Sequence, residues 1–151
     1  MNWTVALAAV ALFYLLSRGS KAGALHGTST SKPCPKPTQD LALNTKNRNH
    51  AIKSSHIQYG PLNLADQEYW LRLAQHWKTT VAVAKQSKCK NCVAFDISPR
   101  MENCMPGAVQ KGGRLGFCWM HKFKCHSERT CYTWAAGGPI ETDKVSYGWQ
   151  K

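Results

Sequence analysis

Acidic residues are scarce in this chain. Eight Asp and Glu face twenty Lys and Arg, a formal charge of +12 at neutral pH, and no carboxylates pair as general acid–base catalysis requires. A phosphate-cradling glycine loop is missing, and so is any internal repeat. His121 and His126 neighbour cysteines, but no third orienting residue or oxyanion motif accompanies them, which sets a catalytic thiol aside. Neither an enzyme nor a small-molecule substrate is expected. Basic residues never run five together, so no nucleic-acid-binding tail is written in the sequence. The excess is spread, with seven basic residues against one acid up to residue 60 and thirteen against seven beyond it. Such a charge admits weak, non-specific contact with nucleic acid or an anionic membrane surface.

Long apolar runs are scarce as well. The longest, residues 3–16 (WTVALAAVALFYLL), would rise about 21 Å as a helix, short of the roughly 30 Å hydrocarbon core. Three readings fit it. As an uncleaved anchor it contacts a membrane, with Arg18 and Lys21 on its C-terminal flank holding the bulk on the cytoplasmic side. As a signal peptide it is cut in Ala22-Gly23-Ala24, near Ala24, and the remainder is exported. As a third option it is a helix buried in an assembly. A basic segment ahead of the run is absent, which weighs against cleavage and favours the anchor.

These patterns divide the chain into a hydrophobic helix at 1–17, an extended basic linker at 18–60, a cysteine-rich domain at 61–140 and a polar tail at 141–151. In the linker, KPCPKP at 32–37 forces extended backbone, and only Leu41, Leu43 and Ile52 are available to nucleate packing. Cys34 stands alone there and is expected to be inert and exposed. A long amphipathic helix follows, with Asn63 as its cap and Asp66 three positions on. From Leu64, the positions Trp70, Leu73, Ala74, Trp77, Val81 and Ala84 form one apolar stripe at helical spacing. Trp70 and Trp77 are expected to anchor the helix against the cysteine block, and the helix to end near Gln86 or Ser87. Beyond it, six glycines between Gly107 and Gly138 leave room only for short strands and turns. In the tail, Tyr147 and Trp149 are placed to dock back.

Cysteine is the residue the chain does have. Six of the seven lie between Cys89 and Cys131, in a segment with too little apolar material to hold itself together without a staple. Cys89 and Cys92 form a C-x2-C pair that offers two soft ligands from one turn. The partners must come from Cys104, Cys118, Cys125 or Cys131. Cys118-Trp119-Met120-His121 is C-x2-H, so Cys89, Cys92, Cys118 and His121 make a set of zinc-ribbon spacing. An all-disulfide scaffold of six cysteines is the further option, and it needs an oxidising compartment.

Three strings carry a resemblance: Cys89-Lys90-Asn91-Cys92-Val93-Ala94-Phe95, Gly116-Phe117-Cys118, and Cys131-Tyr132-Thr133-Trp134. Together they resemble the high-potential iron–sulfur protein family, with its C-x-N-C pair, a third cysteine after a glycine-containing turn and a fourth that opens C-x-x-W. The resemblance covers roughly residues 85–136. It implies Cys89, Cys92, Cys118 and Cys131 as ligands of one [4Fe-4S] cluster, an electron-transfer function and a redox partner. It also implies a shell of Phe95, Phe117, Trp119, Phe123, Tyr132 and Trp134, with Lys122, Lys124 and Arg129 favouring the reduced state. The 25 residues between Cys92 and Cys118 exceed the family's spacing, and the scheme leaves Cys104 and Cys125 over as a pair for a disulfide.

The strings GPLNLADQEYW, AFDISPRM and LGFCWMHKFKCHSERTCYTWAAGGPI are similar to those of small uncharacterised proteins of marine tailed phages. That similarity implies a virion component with neighbouring structural proteins as partners. The expected fold class is a small α+β or irregular domain, stabilised by metal or disulfides, with one long amphipathic helix preceded by the hydrophobic helix and linker.

Overall fold

The computed structural model describes residues 32–61 and 65–151. The apolar run at 3–16, the cleavage site near Ala24 and the proposed cap Asn63 lie outside the described residues. Among those described, no helix is long and apolar enough to cross a membrane.

Residues 32–151 form one compact unit, a small α+β domain with six helices and an open antiparallel sheet. Where an extended linker was expected, two helices stand: α1 (Lys36–Gln39) and α2 (Leu41–Lys53). Asp40 separates them and caps α2, its side chain accepting from the Leu43 amide at 2.9 Å. Of the apolar residues singled out in this segment, Leu41 is 75% exposed and Ile52 42%, while Leu43 is half-buried. Anchoring falls to Ala51, Ile57 and Tyr59, which are buried in the cysteine core, and to Asn44, whose side chain accepts from the Lys124 amide at 2.8 Å. Small and polar contacts of this kind leave no hydrophobic periodicity to read.

The long helix is two helices, α3 (Gln67–Trp77) and α4 (Val81–Gln86). Asp66 caps α3 through the Tyr69 amide. Lys78 ends it in the left-handed conformation (φ 54°, ψ 47°), and Thr80 caps α4. The stripe survives the break, because Trp70, Leu73, Ala74 and Ala84 share one buried cluster with Trp77 and Val81 packed on it. The chain turns without losing its apolar face.

A single 3-10 turn at Cys89–Asn91 leads into β1 (Phe95–Asp96), α5 (Pro99–Cys104), β2 (Val109–Gln110), β3 (Gly113–Cys118) and β4 (Phe123–His126). β3 is the hub and pairs antiparallel with the other three strands. Gly116 is required there: a Cβ would fall 2.4 Å from the Phe95 ring.

The tail folds as α6 (Asp143–Trp149), capped by Thr142, and Trp149 docks against two of the core clusters. Arg100 clamps this end. It donates to Ser146 Oγ, to the Pro33 carbonyl oxygen and to Gln150 Oε1, and its guanidinium lies 4.1 Å from the centre of the Tyr147 ring. Asp96, fully buried, accepts from Trp119 Nε1 and from Ser146 Oγ. A buried carboxylate needs such donors to offset its lost hydration.

Cys34 is neither exposed nor inert. It bridges to Cys104 with Cα atoms 5.6 Å apart across 70 positions of sequence, inside the ordinary disulfide range. The expected Cys104–Cys125 pairing is thereby corrected: Cys104 is used, and Cys125 is free and buried elsewhere. The all-disulfide scaffold falls with it.

Candidate functional site

Five thiols gather in one buried core cluster. Cys89 and Cys92 come from the 3-10 turn and its end, Cys118 closes β3, Cys125 sits on β4, and Cys131 lies in the loop beyond. Cys89, Cys92, Cys125 and Cys131 share a single buried cluster with Cys118 packed against it. All five are unbridged, and of them Cys118 is the one partly exposed. Strand register explains one contact. Gly116 lies opposite Cys125 and Cys118 opposite Phe123, so Cys118 and Cys125 project from the same face of the ribbon. Cys118 and Cys89 both act on the Cys125 thiol and raise it further. Cys92 and Cys131 each feel Cys89 and Cys118 electrostatically. Thus the four residues singled out by the resemblance are brought together, with Cys125 as an unanticipated fifth.

Two forces oppose each other at these sulfurs. Burial pushes the Cys92 and Cys125 thiols up and the Cys131 thiol up to about 12, because a thiolate loses its hydration there. Donors aimed at sulfur act the other way. Cys92 receives the Ala135 and Ala94 amides, and Cys131 receives the Thr133 amide and bonds with Thr133 Oγ1 at 3.3 Å. At Cys118 the donors win. The Cys125 thiol, then the His121 and Met120 amides, hold it below the ordinary range despite burial.

The backbone that carries the thiols is tied together by residues of the same motifs. Asn91 Oδ1 accepts from the Lys88 amide at 3.0 Å and from Trp134 Nε1 at 3.1 Å, while its Nδ2 donates to the Gln86 carbonyl oxygen. The asparagine of C-x-N-C and the tryptophan of C-x-x-W therefore grip each other. The segment after Cys131 is laid across the turn: Cys92 bridges Ala136, and the Val93 amide donates to the Ala135 carbonyl oxygen at 2.9 Å. Only glycine fits at Gly138, where a Cβ would fall 1.7 Å from the Cys92 carbonyl oxygen. From the other side, the Cys89 and Lys90 amides donate to the Arg129 and Ser127 carbonyl oxygens. Lys88 and Lys90 pair with Glu128 at 2.7 and 3.1 Å. Burial works to raise the Glu128 carboxyl, but the two lysine hydrogen bonds pull it below its ordinary value.

The expected aromatic shell is divided. Phe95 and Phe123 lie in the cysteine cluster and Trp134 packs on it. Phe117 and Trp119 instead join Met101 and Cys104 in a second cluster, and Tyr132 packs with α3 and α4. Tyr59 takes a place in the shell that the sequence reading did not assign, edge-on to Phe123 with ring centres 4.9 Å apart. Its only sequence signal was an aromatic in a polar stretch. His121, the nitrogen donor of the zinc alternative, has Nε2 engaged by Thr133 Oγ1 at 2.6 Å; burial first, then His56 and His50, holds it below the ordinary imidazole range. Among the described residues, no group of three or more His, Cys, Asp or Glu side chains is arranged, as the side chains stand, to hold a metal ion. No family model, curated protein or solved structure matches the chain.

Proposed function

We propose that the chain is a [4Fe-4S]-binding protein with Cys89, Cys92, Cys118 and Cys131 as the ligands. It serves as a single-electron carrier of the high-potential kind, or uses the cluster as a structural staple. One observation carries this reading. Five thiols from four places in the chain stay unbridged in a single apolar core cluster, while the same chain closes Cys34–Cys104. A single free cysteine is ordinary core material, but five from four segments in one cluster is the supply of thiols that such a group would need.

The donor set fits the group. Thiolates suit iron–sulfur chemistry, and amides directed at Cys92, Cys118 and Cys131 stabilise sulfur in its charged form. Hydrogen bonds of this type also tune cluster potentials. Loading the four thiols would release protons, since burial otherwise holds Cys92 and Cys131 protonated. When bound, the cluster supplies one-electron oxidation and reduction. The chain's part is to keep water out with Phe95, Phe123 and Trp134, and to favour the more negative state with Lys122, Lys124 and Arg129. The rival is a virion or membrane-surface structural protein held by zinc through Cys89, Cys92, Cys118 and His121, or by its disulfide alone, with no redox role.

Purification without oxygen, with absorption read at about 400 nm and iron, sulfide and zinc assayed, decides between them. Iron and sulfide in equal amounts with reversible voltammetry support the carrier. Unfolding on oxidative loss of iron supports the staple. A colourless, iron-free protein that resists reconstitution overturns both.

A further inference from the structure

Two hollows adjoin beside α2 and the β3–β4 turn. The first, about 530 Å³, is rimmed by Lys36, Lys122 and Lys151 over a floor that includes Leu43, Trp119 and Trp149. The second, about 440 Å³, is lined by His50, His56 and His121 together with Ile57 and Met120. Asn47 and Lys122 belong to both, and Asn47 Nδ2 donates to the Lys122 carbonyl oxygen at 2.7 Å. That bond is a shared wall, and the two hollows read as one trough. No Asp or Glu lines either. Neither Lys36 nor Lys122 takes part in an ion pair among the described residues. From the imidazole end, a bonded path runs inward from His121 Nε2 to Thr133 Oγ1 at 2.6 Å, and on to Cys131 Sγ at 3.3 Å.

We propose that this trough docks an acidic segment of a partner polypeptide, with apolar residues between its carboxylates; on the cluster reading above, that partner exchanges electrons through the His121 end. Charge is the first reason. Cations with no carboxylate of their own, on a chain of +12, attract and orient an acidic surface. The floor is the second, because half-buried Leu43 and exposed Met120 offer contact to aliphatic side chains. A single-stranded nucleic acid shares the charge but wants exposed aromatic faces for its bases. Here Phe117 is 1% exposed and Trp119 8%, which leaves half-buried Trp149 as the one aromatic side chain of the first hollow with a face to stack on.

The test titrates the full chain with a synthetic peptide of alternating Glu and Leu, and separately with oligothymidylate of equal charge, by calorimetry at low and high salt. The peptide is expected to bind, to weaken with salt, and to weaken about tenfold or more in the Lys36→Glu/Lys122→Glu double variant. A Lys111→Glu/Lys144→Glu control, equally changed in charge at exposed positions outside the trough lining, is expected to bind as the unaltered chain does. Tighter binding of the oligonucleotide, equal weakening in the control, or no peptide binding overturns the inference. Iron is assayed in the same samples. Iron-free protein that still binds the peptide upholds the docking surface while the cofactor reading fails, so the two failures are told apart.

Discussion

The Cys34–Cys104 bridge and the five-thiol cluster belong to one compact unit, yet the same side chain does different work in each. At the bridge, two sulfurs from distant segments meet as a pair, and the bond pins the start of the described chain to α5. In the thiol cluster, the number is odd and the thiols have several neighbours each. Backbone amides point at three of the sulfurs. A pair with one partner each is a tether. In the crowd of thiols the donors shift Cys118 towards charge on sulfur while burial keeps Cys92, Cys125 and Cys131 protonated, and a bridged pair does neither. Surroundings, and not residue type, separate covalent staple from candidate ligand.

The largest effect should come from breaking the thiol cluster selectively. Cys131→Ser is expected to abolish iron binding, whereas Cys125→Ser, which removes the fifth thiol, is expected to leave the iron content of reconstituted protein unchanged. A Cys131→Ser protein that still holds a stoichiometric metal would point to the Cys89, Cys92, Cys118 and His121 set instead.

Breaking the other region should cost stability but not cofactor. The Cys34→Ser/Cys104→Ser variant opens a loop of 70 positions, and loop entropy puts the loss on the order of 4 kcal/mol. Its urea midpoint should fall while its iron stoichiometry holds. Loss of both together would mean that the two regions are a single device.

A smaller change sharpens the account of the thiol cluster's frame. Asn91→Ala leaves the buried Lys88 amide short of its acceptor and releases one bond to Trp134, at about 2 kcal/mol. Faster iron release than in a surface variant of equal stability is the signature to look for.

The smallest concerns Glu128. Its carboxyl is held low in the folded chain by Lys88 and Lys90. It therefore contributes above its ordinary value near 4.5, and that contribution drains away as pH falls through the lower folded value. Glu128→Gln should flatten the acid limb of the stability profile by under about 1 kcal/mol, with no change at neutral pH in the sign of any other slope.

The α+β class, the Trp70–Ala84 stripe and the gathering of Cys89, Cys92, Cys118 and Cys131 were legible because they rest on local spacing and on strings that resemble a known pattern. Other features were not. The helix break at Lys78 lies in one residue's left-handed backbone, while the stripe runs on across it. α2 is held by Asn44 and Ala51, residues without a hydrophobic signature. The Cys34 bridge depends on a long-range approach that no window of sequence contains. α6 was hidden in a short polar stretch whose caps, Thr142 and the clamp at Arg100, make sense only once their partners are in place.

The residues ahead of the cysteine block also seal a flank. The outward amides of β4 at Lys124 and His126 are taken by Asn44 and by the Tyr59 hydroxyl, so this border of the sheet is not offered to another strand. A fragment cut to begin after Gly60 would keep the metal-ligand candidates and shed that guard. It should self-associate through the bared strand, and anyone trimming the protein to its cysteines would meet aggregation before chemistry.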